Sequence, residues 1–535
     1  MAKILVTLCF VAILLIAASN PLLAQTVIPV EPGWNTLNAA VAANINPDKT
    51  PINPNVIFQL KRGGRYLLNG MIDVVGWPLQ IVGEDGDGPP AVLQPAVNES
   101  GSSAQHFRSG DMLLKNVYVL AIDDAGNLKN RIMAINKDSA SVVWDNCVFE
   151  YSYLHVVNNI AKYVSYTVTN CIFRNMQHNP NWDNGRVIDC RGNPIESISF
   201  ENCTFENMNN DIYTGWEIPI KKFYFNHNTV VNHVNRLWAT GKWVQATFTN
   251  NLFVDAAMKG WTPLEVRPDG MPNGLIYVDS LGTGTAFSET ERNFLFSHNN
   301  WYLSPKITDW YASIDTLQAY PMFNDSTQAL IDRHPGLVAE NNTTIDPKFI
   351  NAPATTDSLI KYCNQKRTTP APSYFAEIFW DPDSAQRVDT WPLPENLAYT
   401  EPSLLTAGND GFPLGDLNWF PEKKAEWETW KTAVEKNPTS KIPNQFTLNQ
   451  NYPNPFNPTT TIEFQLTAPT HVKLEIFNVI GQKVKTLLNQ KLAAGAHYVV
   501  WNGLDDADRA VGAGIYYYRL STNQNVKTQK MVLLK

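Results

Sequence analysis

The chain has 535 residues, room for two or three domains, and a formal net charge of −8. Its Lys and Arg residues are few and scattered, which excludes a nucleic-acid binder, since that function needs a basic footprint. Aromatic residues make up 11 % and include 16 Trp, a supply from which a core takes most and sugar-stacking platforms can take the rest.

At the start, Lys3 precedes an apolar run from Ile4 to Ala18, and Leu22-Leu23-Ala24 offers a small residue before Gln25. Residues 1–24 therefore read as a secretory signal peptide, outside the fold. No later stretch reaches the roughly 20 apolar residues that span a bilayer, so the mature chain is expected to carry no transmembrane segment. Of the six cysteines, Cys9 falls in the signal peptide. The other five are an odd number and too few for a disulfide scaffold.

Trp34 to Ala43 predicts a short amphipathic helix that plugs the open end of a run of strands. Extended runs come next at Val56 to Leu60, Gly63 to Leu68 and Trp77 to Glu84. Then one phrase is written three times: Val143 to Phe149, Thr167 to Phe173, and Ser199 to Phe205, each with Asn-Cys at its centre. Weaker copies lie at Tyr224 to Val230, Thr247 to Phe253 and Phe296 to Trp301. A repeat of roughly 23 to 32 residues, read as strand, Asn bend, strand, calls for a solenoid. Asn suits the bend because it tolerates the left-handed conformation. The expected fold is all-β: a right-handed parallel β-helix over residues 27–302, with Cys147, Cys171 and Cys203 stacked in one buried column. The opening runs resemble the start of pectate-lyase-like β-helix proteins.

Counting back from each bend asparagine gives a second column, Arg131, His155, Arg186, Asp211 and Arg236, each followed by an apolar residue. An unpaired arginine inside a β-helix is prohibitively costly, so this column should face out. Strict alternation then places Met133, Val157, Ile188, Tyr213 and Trp238 outward as well. With strands about 4.8 Å apart, four rungs spread this face over roughly 19 Å, long enough for a glycan. Trp182, Asp183, Asp189, Trp216, Lys242 and Trp243 lie on or near the same rungs, and Asp189 fits either an outward position or an inward polar ladder. The candidate substrate-binding residues are Arg131, His155, Tyr213, Trp238 and Lys242.

This arrangement resembles that of β-helix polysaccharide lyases. The resemblance implies Arg186 or Arg236 as the base and Asp183 and Asp211 beside a metal, calcium being the candidate cofactor, because a uronate carbon acid needs its charge cancelled before it gives up a proton. No complete lyase motif is present, and the same residues also fit a solvated charged face. The chain contains no Gly-x-Ser-x-Gly, no phosphate-binding Gly loop and no zinc-binding His pair on a helix.

From residue 303 to 436 prolines interrupt the pattern, and Asp346 to Phe349 reads as one last loose rung. A helix beginning at Pro421 carries Trp427, Trp430 and Val434 and is expected to cap the solenoid. Residues 437–445 read as a linker. The stretch 446–535 opens with Asn451-Tyr452-Pro453-Asn454-Pro455-Phe456-Asn457-Pro458 and then alternates short strands with turns, as an immunoglobulin-like sandwich does. Together with Ile476 to Gly481, Trp501-Asn502-Gly503, Gly514 to Tyr517 and Lys530 to Lys535, it resembles the type A C-terminal sorting domain of type IX secretion cargo. That resemblance implies a protein passed through the periplasm to the outer-membrane surface or beyond, with the secretion machinery as partner. Two functions stay open: a surface protein that binds an extracellular polysaccharide, and a polysaccharide lyase or hydrolase acting on an acidic glycan by metal-assisted β-elimination.

Overall fold

The computed structural model describes residues 25–97, 105–176, 184–216, 218–262, 274–282, 286–334, 336–368, 391–436, 446–451, 453–466, 470–492, 495–507, 509–523 and 525–534. The signal-peptide and linker readings, and Trp182 and Asp183, lie outside these residues. The chain divides into two compact units near residue 428.

The first unit is a right-handed parallel β-helix. Three parallel sheets of 11, 10 and 7 strands run along it, and the central rungs contribute one strand to each sheet in turn. The Asn bends form where expected: Asn116, Asn146, Asn170, Asn202 and Asn250 all have positive φ, from 52° to 60°. His227 and His298 take the same conformation on two rungs whose repeat phrase carries asparagines nearby. Histidine shares some of asparagine's tolerance for this region, so the bend survives the exchange.

The residue after the bend points inward. Cys147, Cys171 and Cys203 occupy this position as buried free thiols. Over the following rungs the same column becomes asparagine. The side-chain oxygens of Asn228, Asn251, Asn299 and Asn342 accept, in order, from the backbone N–H of Cys203, Asn228, Asn251 and Asn299, at 2.9 to 3.1 Å. Each side-chain amide in turn donates to the carbonyl of Phe200, Phe225, Phe248 or Phe296. Buried amides are affordable here because donors and acceptors are both satisfied from rung to rung. Beside this column an aromatic stack fills the interior, with Phe149, Phe173 and Phe205 parallel at 5.1 Å centroid spacing.

The N-terminal helix is Thr36–Ala43, with Leu37 and Val41 buried. At the other end the solenoid continues past residue 302. The strand Leu337–Glu340 pairs in parallel with Asn293–Ser297 after an excursion that contains the helices Pro305–Ala312 and Asp325–Arg333. Asp346 to Phe349 is not a further rung, because Phe349–Asn351 pairs antiparallel with Asn396–Tyr399.

Among the described residues after 345, those from 396 to 420 lie against the outer face of the ten-stranded sheet. Leu397, Tyr399, Leu404 and Leu414 cover Val231, Leu252 and Val254. Farther along, the buried guanidinium of Arg174 holds Glu150 at 2.9 Å, Glu206 at 2.6 Å and, from this segment, Glu395 at 3.1 Å. The first turns of the helix Pro421–Lys436 pack on the side of the solenoid rather than on its end: the Trp427 ring meets His227 at 5.7 Å, and its N–H donates to Asp410. The prolines that break the rung pattern thus mark a strap along a flank.

The second unit holds a three-stranded and a four-stranded antiparallel sheet around Phe464, Ile476, Trp501, Tyr518 and Leu520. This is the sandwich expected of the tail.

Candidate functional site

The charged column assembles on one corner of the solenoid, along the seven-stranded sheet. Arg131 pairs with His155 and His155 with Arg186 in consecutive strands, so the rung alignment made from spacing is correct. The column beside it is not outward. Met133, Val157, Ile188, Tyr213 and Trp238 are buried in the main apolar core. The Tyr213 ring packs on Phe223, and Trp238 lies among Phe223, Phe225, Trp243 and Phe248. Trp243 is buried too and donates its N–H to the carbonyl of Tyr277.

The reason is local. Arg186 reaches Asp189 at 2.8 Å, three residues on, which requires both on one side with Val187 and Ile188 on the other. Val187 and Ile188 are both core residues. The strand turns a corner here and sends two successive side chains inward, which shifts the alternation by one. The outward partners of the charged column are therefore Asn158, Asp189 and Thr214, in register with one another.

Together these residues form a network rather than a solvated face. Asp189, fully buried, takes Arg186 at 2.8 Å and lies 3.6 Å from Arg191. Asp211, also fully buried, accepts from Arg236 at 2.8 Å and from the Thr214 hydroxyl at 2.8 Å, with Arg186 at 3.7 Å. Arg191 also donates to the side-chain oxygen of Asn158. The His155 ring is buried, neither nitrogen has a hydrogen-bond partner among the described residues, and Nδ1 lies 3.8 Å from Asp189. Burial pushes its pKa down to about 3 against the pull of Asp189, and Arg131, Arg191 and Arg186 push the same way, so the imidazole is neutral. Three guanidiniums, of Arg186, Arg191 and Arg236, thus surround two carboxylates.

The metal assignment does not fit this geometry. Asp211 has its oxygens turned to arginines and a hydroxyl, and a guanidinium at such range repels a cation. Asp183 lies outside the described residues. Among the described residues no group of three or more His, Cys, Asp or Glu side chains is placed to hold a metal ion. The catalytic assignment suffers similarly: Arg186 has a side chain 6 % exposed and shares two carboxylates, and Arg236 is held by Asp211.

What the corner does expose lies just beyond the strands. Trp216 is 48 % exposed, and the Arg186 guanidinium stands over its ring, 5.6 Å from the centroid. Arg191, with a side chain 46 % exposed, occupies the equivalent position on the preceding rung, and Ile160, 48 % exposed, the one before that. Arg131 and Lys242 are half-buried on the same corner. Spacing along the sequence does not reveal Arg191 and Ile160, because they lie just past the strand ends and belong to no repeat phrase.

By architecture the chain is a parallel β-helix joined to an immunoglobulin-like sandwich. Residues 450–525 of the sandwich match the FlgD Ig-like domain family. No curated protein matches the chain. Among solved structures it is similar to dimeric latent PorU from Porphyromonas gingivalis, 21 % identical, covering 17 % of this chain and 9 % of that one, with a TM-score of 0.14. It is also similar to PorZ, described as an essential surface component of the type IX secretion system of Porphyromonas gingivalis, at 16 % identity, 18 % and 12 % coverage and a TM-score of 0.13. The chain spans about a tenth of the length of either protein, and scores of this size carry no functional argument. Among the described residues no helix is long and apolar enough to cross a membrane.

Proposed function

We propose that this is a type IX secretion cargo, displayed at or released from the cell surface, whose β-helix binds an acidic extracellular polysaccharide at the Arg186 corner. The export half is supported by the ordered sorting-domain motifs from Asn451 to Lys535. The binding half rests on one observation: an exposed tryptophan backed by the buried Arg186 guanidinium, with an exposed arginine, Arg191, on the preceding rung. An aromatic face takes the apolar side of a sugar ring, and the arginine takes its acid group. β-Elimination is not proposed, because the arginines assigned as base are tied to buried carboxylates.

Affinity electrophoresis of the full chain in gels of acidic and neutral polysaccharide tests the binding half. Retardation should occur in the acidic gels and weaken as salt is raised from about 0.02 to about 0.2 M, since exposed charges are screened over that range. Trp216→Ala should remove most of it. Equal mobility in all gels, or equal retardation by neutral polymer, would sink the proposal.

A further inference from the structure

A cavity of about 280 Å³ opens on the ten-stranded sheet, a different sheet from the one that carries the Arg186 corner. Val231 and Val254, partners on neighbouring strands, form its floor, and the strap lines its other side between residues 346 and 356. Tyr302, in register on the next strand, and Phe349, on the strap, supply two half-buried rings.

Two carboxylates stand among these apolar walls, the buried Asp255 and the exposed Asp346. Asp255 accepts from the backbone N–H and the hydroxyl of Ser304, both at 2.7 Å, and Asp346 accepts from the N–H of Lys348 at 2.9 Å. Each has room for another donor, since a carboxylate accepts about four hydrogen bonds. After burial, the charges of Asp346 and Asp255 hold the Tyr302 hydroxyl pKa above its ordinary value, so both carboxylates act on one place. Lys306 lines the cavity too, but Asp357 holds its ammonium at 2.8 Å. The helices Pro305–Ala312 and Thr356–Thr368 begin here, and each N-terminus brings about half a positive charge. Three acids against one ammonium and two helix ends leave a net charge of about −1.

That lining sets the chemistry of a ligand. An anion is repelled. A neutral molecule leaves Asp255 as it stands, its pKa raised by burial and by Asp346 against the two Ser304 bonds. A cation offsets both effects. Aromatic faces attract an ammonium group that has shed its water, and the valine floor takes the carbon body behind it. A bare metal ion is poorly served, because much of the wall offers no oxygen.

We propose that this cavity binds an organic ammonium group carried on a compact body, with Asp255 and Asp346 as counter-charges and Tyr302 and Phe349 as aromatic walls. A free amine, an amino sugar and a lysine side chain share that chemistry. The site is independent of the acidic-glycan reading of the corner.

Three probes with one body and different charge test it on the full chain at neutral pH: cyclohexylamine, cyclohexanol and cyclohexanecarboxylate, each titrated by ligand-observed NMR. The amine should bind at least about tenfold more tightly than the alcohol, and the carboxylate should not bind. Glucosamine and Nα-acetyl-lysine amide serve as competitors. Displacement by one of them names an amino sugar or a peptide as the source, and displacement by neither names a free amine. Asp346→Asn, at an exposed position, should weaken amine binding about tenfold while the melting temperature stays within a few degrees. Asp255→Asn should weaken it as well, and Asp346→Asn decides alone if that variant does not fold. Equal or tighter binding of the alcohol or the carboxylate overturns the cation assignment. Amine binding that Asp346→Asn leaves unchanged overturns the cavity as its site, and failure of every amine to bind overturns the proposal.

Discussion

Arg186 and Asp189 meet across two intervening residues, and that one contact decides how the corner behaves. Had the strand alternated through it, Arg186 and Arg236 would be solvated surface charges, removable at little cost. Instead each neutralises a carboxylate that has no exposed surface. Removing one partner of such a pair leaves the other buried and uncompensated, which typically costs about 3–5 kcal/mol. Arg186→Ala is therefore expected to lower the unfolding free energy by several kcal/mol, and Arg191→Gln, at a more exposed position, by less than about 1 kcal/mol. Urea denaturation of the two variants checks this, and equal losses would mean that Asp189 is not held as described. The spacing of the charged column was legible because every rung repeats it. The phase of its neighbours was not, because a corner that turns two residues inward leaves no mark in a pattern of apolar and charged letters: Val187-Ile188 reads the same whether one or both are buried.

The repeat phrases show the same division at the scale of the rung. Asn-Cys at the turn gave away the bend and the inward column together, since the two residues are adjacent and one of them is a small thiol. Where the phrase becomes Asn226-His227-Asn228, the bend falls on His227, and Asn228 takes the place of cysteine. The inward asparagine ladder was written in the sequence one position after each bend, but asparagine is also the residue expected at the bend, so the two roles were confused. The strap from residue 345 onward was illegible for another reason. Its contacts are single side chains set on a flank, such as Glu395 on Arg174 and Asp416 on Thr204, without periodicity. Asp416 gives this element a pH signature. Burial raises its carboxyl to about 6 from 3.8, against the hydrogen bonds of Asn418 and Thr204 and the charge of Lys424. The folded state then keeps a proton that the unfolded chain has released, so its stability falls as pH rises from about 4 to about 6 and levels off above. Asp416→Asn removes this dependence. The stability of the native protein relative to that variant should drop by up to about 3 kcal/mol across the window, read from urea midpoints at pH 4 and pH 7. A difference that stays constant with pH would show that this carboxyl is not held in a buried place.

At the scale of the molecule, two cores are built from separate stretches of chain. The solenoid's main core draws its residues from Val30 to Tyr320 and Leu337, and the sandwich draws its own from Phe446 to Leu533. Parallel pairing supports the first and antiparallel pairing the second. Units with their own apolar interior and their own backbone pairing can fold apart. If the tail is the export address that its motifs suggest, then folding and delivery are separable, and deleting residues 446–535 should split them. The truncated protein should show the same cooperative melting transition for the β-helix as the full chain, within a few degrees. In cells it should collect in the periplasm, while the full chain reaches the surface or the medium. Fractionation of the two strains, with protease shaving of whole cells, reads the second outcome directly. Surface exposure of both proteins in equal amount would remove the export role from the sandwich. Loss of the β-helix transition on truncation would instead show that the solenoid needs the tail to fold, against the separation of the two cores.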